Sequence, residues 1–233
     1  GFGAGARVLT SGEIEAAERL LGVEPIDGFT IVDVGANRGE YSIAISKKYP
    51  NSRIVAFEPS KLIFGRLSDN VKDHPQIVPY NLGLGKTVSE QELYKESKYA
   101  KISSLTKLEV TEERFTEVVS IQSLDRMVYD LQIRNIDLMK IDVEGHEMDV
   151  LVGAQNSIKK GLIRCIQFEI GSASVEAGTS FHSIYLFLSG MGYSIYLIQP
   201  RGVQIIPEYE YFFEHYSTTN YFAVLESSAP KVL

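Results

Sequence analysis

Lys140-Ile141-Asp142-Val143-Glu144-Gly145-His146-Glu147 is the chemically densest stretch of the chain. If the backbone stays extended through it, Asp142, Glu144 and His146 project to one side. Carboxylates and an imidazole at the carboxyl end of a strand sit where α/β enzymes keep their chemistry. A helix amino terminus also favours acids, because they suit the macrodipole. That accounts for Glu147 and in part for Glu144, but not for Asp142 followed by a glycine and a histidine. Asp142, Glu144 and His146 are therefore catalytic candidates, joined by Glu169, which ends another apolar run. His146 is suited to act as a base near neutral pH, an unperturbed imidazole having a pKa of about 6.5. Asp142 and Glu169, on what should be neighbouring strand ends, could instead share a divalent ion. Carboxylates with few imidazoles favour magnesium or manganese over zinc.

A second constellation lies upstream. Ile31-Val32-Asp33-Val34-Gly35-Ala36-Asn37-Arg38-Gly39 reads as a buried strand running into a glycine turn, and Tyr41, Ala44, Ile45 and Lys48 then follow helical spacing. The glycines let the main chain approach a ligand. A dinucleotide fingerprint would need G-x-G-x-x-G; counted from Gly35, the later glycine positions hold Asn37 and Glu40. Pyrophosphate is a poor fit beside Glu40, so a dehydrogenase is disfavoured, and no G-x-x-x-x-G-K-[ST] loop is present. The remaining common occupant is a nucleoside bearing positive charge, S-adenosylmethionine, which an acidic strand end such as Asp33 suits. Glu58 ends the next strand and can accept both ribose hydroxyls, as a bidentate acceptor does. The cofactor-binding set is then Asp33, Gly35, Asn37, Gly39, Tyr41, Glu58, Pro59 and Asn81, with Asp142 facing it; Asn81 ends the third strand, where an adenine ring would lie.

The elements that must position these groups alternate along the chain. Thr10-x-x-Glu13 forms a capping box for a short helix, and Pro59 opens a helix with Ile63, Leu67 and Val71 inward. Ile77–Tyr80 is a strand whose proline places it at an edge. Thr87–Lys95 and Val118–Ile121 read as further strands, and residues 96–117 carry no motif. Ile136–Asp142 is the central strand after the crossover, and a helix with Val150, Leu151 and Ala154 inward follows. Ile163–Glu169, Tyr193–Ile198, Val203–Ile206 and Asn220–Leu225 complete the sheet, with a helix capped by Ser180 between the first two. Tyr209, Tyr211, Phe212, Phe213 and Tyr216 cluster before the last strand, where rings could stack on a sugar or simply pack a hairpin. The expected layout is an N-terminal tail and capping helix over 1–28, one catalytic domain over 29–226 and a tail over 227–233.

Composition narrows the class. With 233 residues, 44% apolar and 23% charged, the chain can bury one sizeable core. A net charge of −7 argues against nucleic acid as the main partner. The single cysteine, Cys165, excludes an internal disulfide and points to a reducing, cytoplasmic setting. No apolar run is long enough to span a membrane.

Val32-Asp33-Val34-Gly35-Ala36-Asn37-x-Gly39, Phe57-Glu58-Pro59, Lys140-Ile141-Asp142-Val143-Glu144-Gly145-x-Glu147, Phe168-Glu169 and Asn220-Tyr221-Phe222 together resemble the FkbM family of methyltransferases. The resemblance spans roughly residues 30–225, and the Lys-Ile-Asp-Val-Glu-Gly element is its specific part. It implies a class I, Rossmann-like α/β fold with a mixed seven-stranded sheet, helices on both faces and an antiparallel last hairpin. It also implies S-adenosylmethionine-dependent O-methylation, often of sugar hydroxyls in glycans or glycosylated small molecules. By position, Asp33, Gly35, Asn37, Gly39 and Glu58 fall in its cofactor motifs, and Asp142, Glu144 and Glu169 in its acidic ones. The alternatives are an N- or carboxyl-methyltransferase on the same scaffold, or a module that binds cofactor or a partner without catalysis.

Overall fold

A computed structural model describes residues 12–22, 28–95, 103–104, 115–199, 202–214 and 217–228. In chain order the first half holds α1 (Glu13–Leu21), β1 (Thr30–Val34), α2 (Glu40–Lys48), β2 (Arg53–Phe57), α3 (Lys61–Val71), β3 (Ile77–Tyr80), β4 (Gly83–Leu84), β5 (Ser89–Lys95), β6 (Ser103–Ser104) and β7 (Phe115–Gln122). The second half holds α4 (Leu124–Asp130), β8 (Leu138–Ile141), α5 (Glu147–Gly153), α6 (Gln155–Lys159), β9 (Cys165–Ile170), α7 (Ser172–Glu176), α8 (Phe181–Ser189), β10 (Tyr193–Gln199), β11 (Gly202–Ile206) and β12 (Thr219–Leu225).

The main sheet has eight strands in the order β11-β10-β12-β9-β8-β1-β2-β3. The strands β9, β8, β1, β2 and β3 are parallel, while β12 runs antiparallel to both β9 and β10. The expected mixed sheet is therefore present with one strand more than the seven implied, because the Val203 to Ile206 segment pairs along β10 as a full edge strand. The proline-bearing β3 lies at the opposite edge, where a missing backbone donor costs no ladder bond.

Helices cover both faces. On one face Ile14, Ala17, Ile45 and Leu67 from α1, α2 and α3 pack with Ile31, Ile54 and Leu138 of the strands. On the other, Leu124, Val150, Leu151, Ile184 and Leu188 pack with Val32, Val55, Met139 and Phe168. The helix α1 thus contributes side chains to the core on that face. The Thr10 half of its expected capping box lies outside the described residues; Glu13 is buried and accepts a bond from Gln167 Nε2 at 2.8 Å.

A second sheet, β4-β7-β5-β6, branches off after β3. Its inner face carries a small apolar cluster of Leu93, Val119 and Ile121. The strands expected near Thr87–Lys95 and Val118–Ile121 are its main antiparallel pair, with Leu93 opposite Glu117 and Ser89 opposite Ile121.

The two central strands meet at a close approach. Gly35 has φ +78°, and a Cβ there would stand 1.9 Å from the Asp142 carbonyl oxygen. Its N–H and that of Ala36 both donate to the Phe57 carbonyl, which ties the turn to β2 as well. A Gly35→Ala change therefore meets both left-handed backbone strain and a clash with immovable main chain. It is expected to cost about 3 kcal/mol or more of stability. Urea titration checks this, and a loss below about 1 kcal/mol would show that the strand ends can part.

Candidate functional site

Register places the polar residues of the main sheet in tiers. Asp33, Lys140 and Gln167 are neighbours across β1, β8 and β9 on the face covered by α1 and α2. Period-two alternation then brings Gly35, Asp142 and Glu169 to the next tier, at the carboxyl ends of the same strands. Asn220 stands opposite Glu169 and donates to its Oε2 from Nδ2 at 3.2 Å.

Lys140 joins the tiers. Its Nζ lies 2.8 Å from Asp142 Oδ2 and 5.1 Å from the centroid of the Tyr41 ring, and its side chain is only 8% exposed. Burial alone would lower its pKa, but the carboxylates of Asp142, Asp33 and Glu13 outweigh that and raise it. The lower tier is closed by Tyr41, which donates to Gln167 Oε1 at 2.7 Å, and by Glu13 on the other side of the same amide.

The cleft above the strand ends is lined by Gly35, Asn37, Glu58 and Pro59 on one side and Asp142, Val143, Glu144 and His146 on another. Gly83, Leu84, Leu93 and Ile121 of the second sheet form its apolar wall. It spans about 690 Å³ of space, part of it open solvent at its mouth. The Glu58 carboxylate is held by main chain: Asn37 N donates to Oε2 at 3.0 Å and Ser60 N to Oε1 at 2.9 Å. A buried carboxylate fixed in this way, beside a Cβ-free turn and an apolar wall, fits the ribose and base of a nucleoside.

A second, smaller cavity adjoins the cleft. Asp142, Glu144, Glu147 and Glu169 line it with Gly171, Ser172, Ala173, Ser174 and Thr218. Asp142 and Glu144 therefore form the wall that the two spaces share. Burial, then the neighbouring Asp142 and Glu147, push the Glu144 carboxyl up to about 7. Burial, with Asp142 next, raises Glu169 as well. Glu147 is raised by burial too, though Gly145 N donates to its Oε1 and Ser174 Oγ to its Oε2.

Several expected placements differ. The backbone does not stay extended from Asp142 to His146: Glu144 has φ 51° and Gly145 φ 108°, a left-handed turn between β8 and α5. A Cβ at Gly145 would stand 2.5 Å from the Ala173 carbonyl oxygen, so the turn is also a contact with α7. His146 nevertheless lines the cleft, its Nδ1 3.1 Å from Asp149 Oδ2. Asp33 is fully buried on the α2 side of the sheet, where its Oδ2 accepts from Ser42 Oγ at 2.6 Å. Burial raises its pKa, and Lys140 and Ser42 pull it back. Tyr41 is buried beneath the same tier, so both residues support the cleft from below rather than line it. Gly39 has φ 81° and caps α2. Asn81 is exposed and donates to the Glu58 and Pro59 carbonyls, each at 3.0 Å, so it pins the loop instead of facing a base.

The expected magnesium or manganese site does not fit these side chains. Asp142 is paired with Lys140 and Glu169 accepts from Asn220, and no group of three or more His, Cys, Asp or Glu among the described residues could hold an ion. The aromatic cluster divides. Phe213 is buried and Tyr209 packs on His182 and donates to Glu214 Oε1, whereas Tyr211 is 83% and Phe212 52% exposed; Tyr216 lies outside the described residues. The sequence reading missed Lys140, Gln167 and Glu13, and the second sheet's share of the cleft. A lysine inside an apolar central strand was the available signal.

Among the described residues no helix is long and apolar enough to cross a membrane. Methyltransferase 1 of Beauveria bassiana is 30% identical over 148 residues, covering 55% of this chain and 59% of that protein. The hexuronic acid methyltransferase AglP of Haloferax volcanii is 28% identical over 142 residues, covering 60% and 56%. The chain thus spans somewhat more than half the length of these relatives. The structure of Aeropyrum pernix fibrillarin, solved with natively bound S-adenosyl-L-methionine, superposes with a TM-score of 0.51 at 15% identity, over 91% of this chain and 74% of that one. That likeness shows a class I methyltransferase fold. A family model described as the methyltransferase FkbM domain matches residues 33–195, and by that match the chain belongs to the FkbM methyltransferase family.

Proposed function

We propose that the chain carries the catalytic site of an S-adenosylmethionine-dependent O-methyltransferase acting on a sugar hydroxyl. The observation that carries the reading is the shared lining: Asp142 and Glu144 belong both to the cleft beside Glu58 and to a small acidic cavity. When bound, S-adenosylmethionine supplies a methyl carbon on a positively charged sulfur. Glu58 accepts the ribose hydroxyls, Leu84, Leu93 and Ile121 bury the adenine, and Asp142 with Glu144 face the positive charge. Where the cleft and the acidic cavity adjoin, Asp142 and Glu169 orient the acceptor, with His146 on the cleft side.

Alignment of oxygen with the methyl carbon supplies most of what such a displacement requires. With the cofactor bound, an acceptor oxygen held in line with its methyl carbon would take the methyl group and leave the electron pair on sulfur. The hydroxyl proton then needs a base. His146 lines the cleft and its Nδ1 lies 3.1 Å from Asp149 Oδ2; the tautomer with the proton on Nδ1 makes Nε2 the basic nitrogen. The AglP relative supports a sugar acceptor. AglP's name gives an anionic hexuronic acid, so it supports a sugar only as a class; the carboxylates of this cavity favour a neutral polyol, and they equally suit an amine, which is the second reading. Incubation with methyl-labelled S-adenosylmethionine and matched panels of neutral glycans and amino sugars separates the two. Label in neither panel overturns both readings.

Two further outcomes follow for the purified chain. Glu58→Ala should weaken S-adenosylhomocysteine binding about tenfold or more, the equivalent of about 1.5–3 kcal/mol for charge-assisted bonds. Calorimetric titration measures this, and unchanged affinity removes Glu58 from the ribose site. The second outcome is a pH dependence. Glu144 holds its proton up to about 7 in the free protein, and a sulfonium favours its ionised form. Binding of S-adenosylmethionine therefore releases a proton below that pH, and affinity rises with pH until Glu144 is ionised. Affinity at pH 6 should be up to about tenfold weaker than at pH 8. The uncharged S-adenosylhomocysteine should vary less, and Glu144→Gln should flatten the difference. Parallel pH profiles for the two ligands would contradict the placement of the sulfonium.

A further inference from the structure

A carboxylate of the second sheet bonds to the loop beside the cofactor cleft. On β7, residues 117, 119 and 121 share one face by strand alternation. Val119 and Ile121 join Leu93 in the apolar cluster, and Glu117 is the cross-strand partner of Leu93. Glu117 reaches across to the loop that follows β2. Its Oε1 accepts from Lys61 N at 2.7 Å and its Oε2 from Ser60 Oγ at 3.1 Å. Ser60 is fully buried, and its own N–H donates to Glu58 Oε1. The hydrogen bonds thus run without a gap from the second sheet through Ser60 to Glu58, and from Glu58 to the N–H of Asn37 in the glycine turn.

We infer that Glu117 is a positioning residue for the nucleoside end of the cleft. It docks the face bearing Leu93 and Ile121 onto the Pro59–Lys61 loop and, through Ser60, fixes the Glu58 carboxylate in the orientation that accepts the ribose. The Leu93–Ile121 part of the apolar wall and the ribose acceptor belong to different sheets, and this tie sets one against the other. An alanine at 117 leaves the Lys61 N–H at the start of α3 without its acceptor and takes from Ser60 Oγ the bond it donates, while the bond it accepts from Ile63 N stays. Glu58 then keeps its charge but loses its direction. The inference rests on the reading of Glu58 as the ribose acceptor.

A double-mutant cycle on the full chain, with S-adenosylhomocysteine as the probe in calorimetric titrations, tests it. Glu117→Ala alone should weaken binding about fivefold. In a Glu58→Ala background the same change should have almost no effect, because a residue acting through another is not additive with it. Glu117→Gln keeps an acceptor for Lys61 N and should recover most of the affinity, leaving a loss of about twofold. It carries the same cycle if Glu117→Ala does not fold. A purely structural role would lower the thermal midpoint and weaken binding equally in both backgrounds. Additive losses, or no loss from either Glu117 variant while Glu58→Ala is weakened, overturn the inference alone. No loss from Glu58→Ala overturns the ribose reading and the inference with it.

Discussion

The arrangement depends on one buried ammonium. Isolated charges are costly in a protein interior, by several kcal/mol each even after relaxation, and only close partners offset that cost. Lys140 sits in the middle of the main sheet with Asp142 at 2.8 Å and with Asp33 beside it in register. Removed, it would leave two carboxylates facing each other across adjacent strand ends without a cation between them. Its presence lets β8 end in an acid next to the acid-bearing β1, and the glycine at position 35 lets the two strand ends close up until the turn touches the Asp142 carbonyl.

One ammonium does not neutralise the strand ends. Above it Glu144, Glu147 and Glu169 crowd around Asp142, and all three are shifted toward their neutral forms chiefly by burial. Part of the excess acid is thereby relieved by protonation instead of by a second cation. Glu144 also holds a left-handed backbone conformation. Non-glycine residues in this region are strained, and among the described residues three show it: Asn37, Gln132 and Glu144. Two of these, Asn37 and Glu144, line opposite sides of the cleft.

Much of this was legible in the sequence because it is local. The strand, glycine turn and helix around Gly35, the acid at position 58 and the acidic run after Ile141 each declare themselves within about ten residues, and helical or strand periodicity fixes the core around them. What was not legible is non-local. An acid near a strand end does not state how deep it lies, and Asp33 sits one tier below the cleft, buried against α2. The turn at Glu144 and Gly145 replaced an extended path because a glycine permits φ of 108° where a contact with α7 requires it. The second sheet joins β4 in parallel to β7, across nearly forty residues of sequence. Its apolar positions are too few and too short to reveal that they face a cleft belonging to the other sheet.

The same reasoning explains why α1 belongs to the site although it touches no part of the cleft. Gln167 is buried and offers both a donor and an acceptor, and an unmade bond at either end would cost about 1–3 kcal/mol. Tyr41 satisfies the acceptor and Glu13 the donor, so the amide is oriented from α2 and α1 together. Glu13 adds a third negative charge acting on Lys140 and is itself a further influence raising Glu169. A helix some 120 residues upstream of Lys140 thereby shares in setting the electrostatics of the strand ends. The sheet, not the chain order, decides which residues belong to the site.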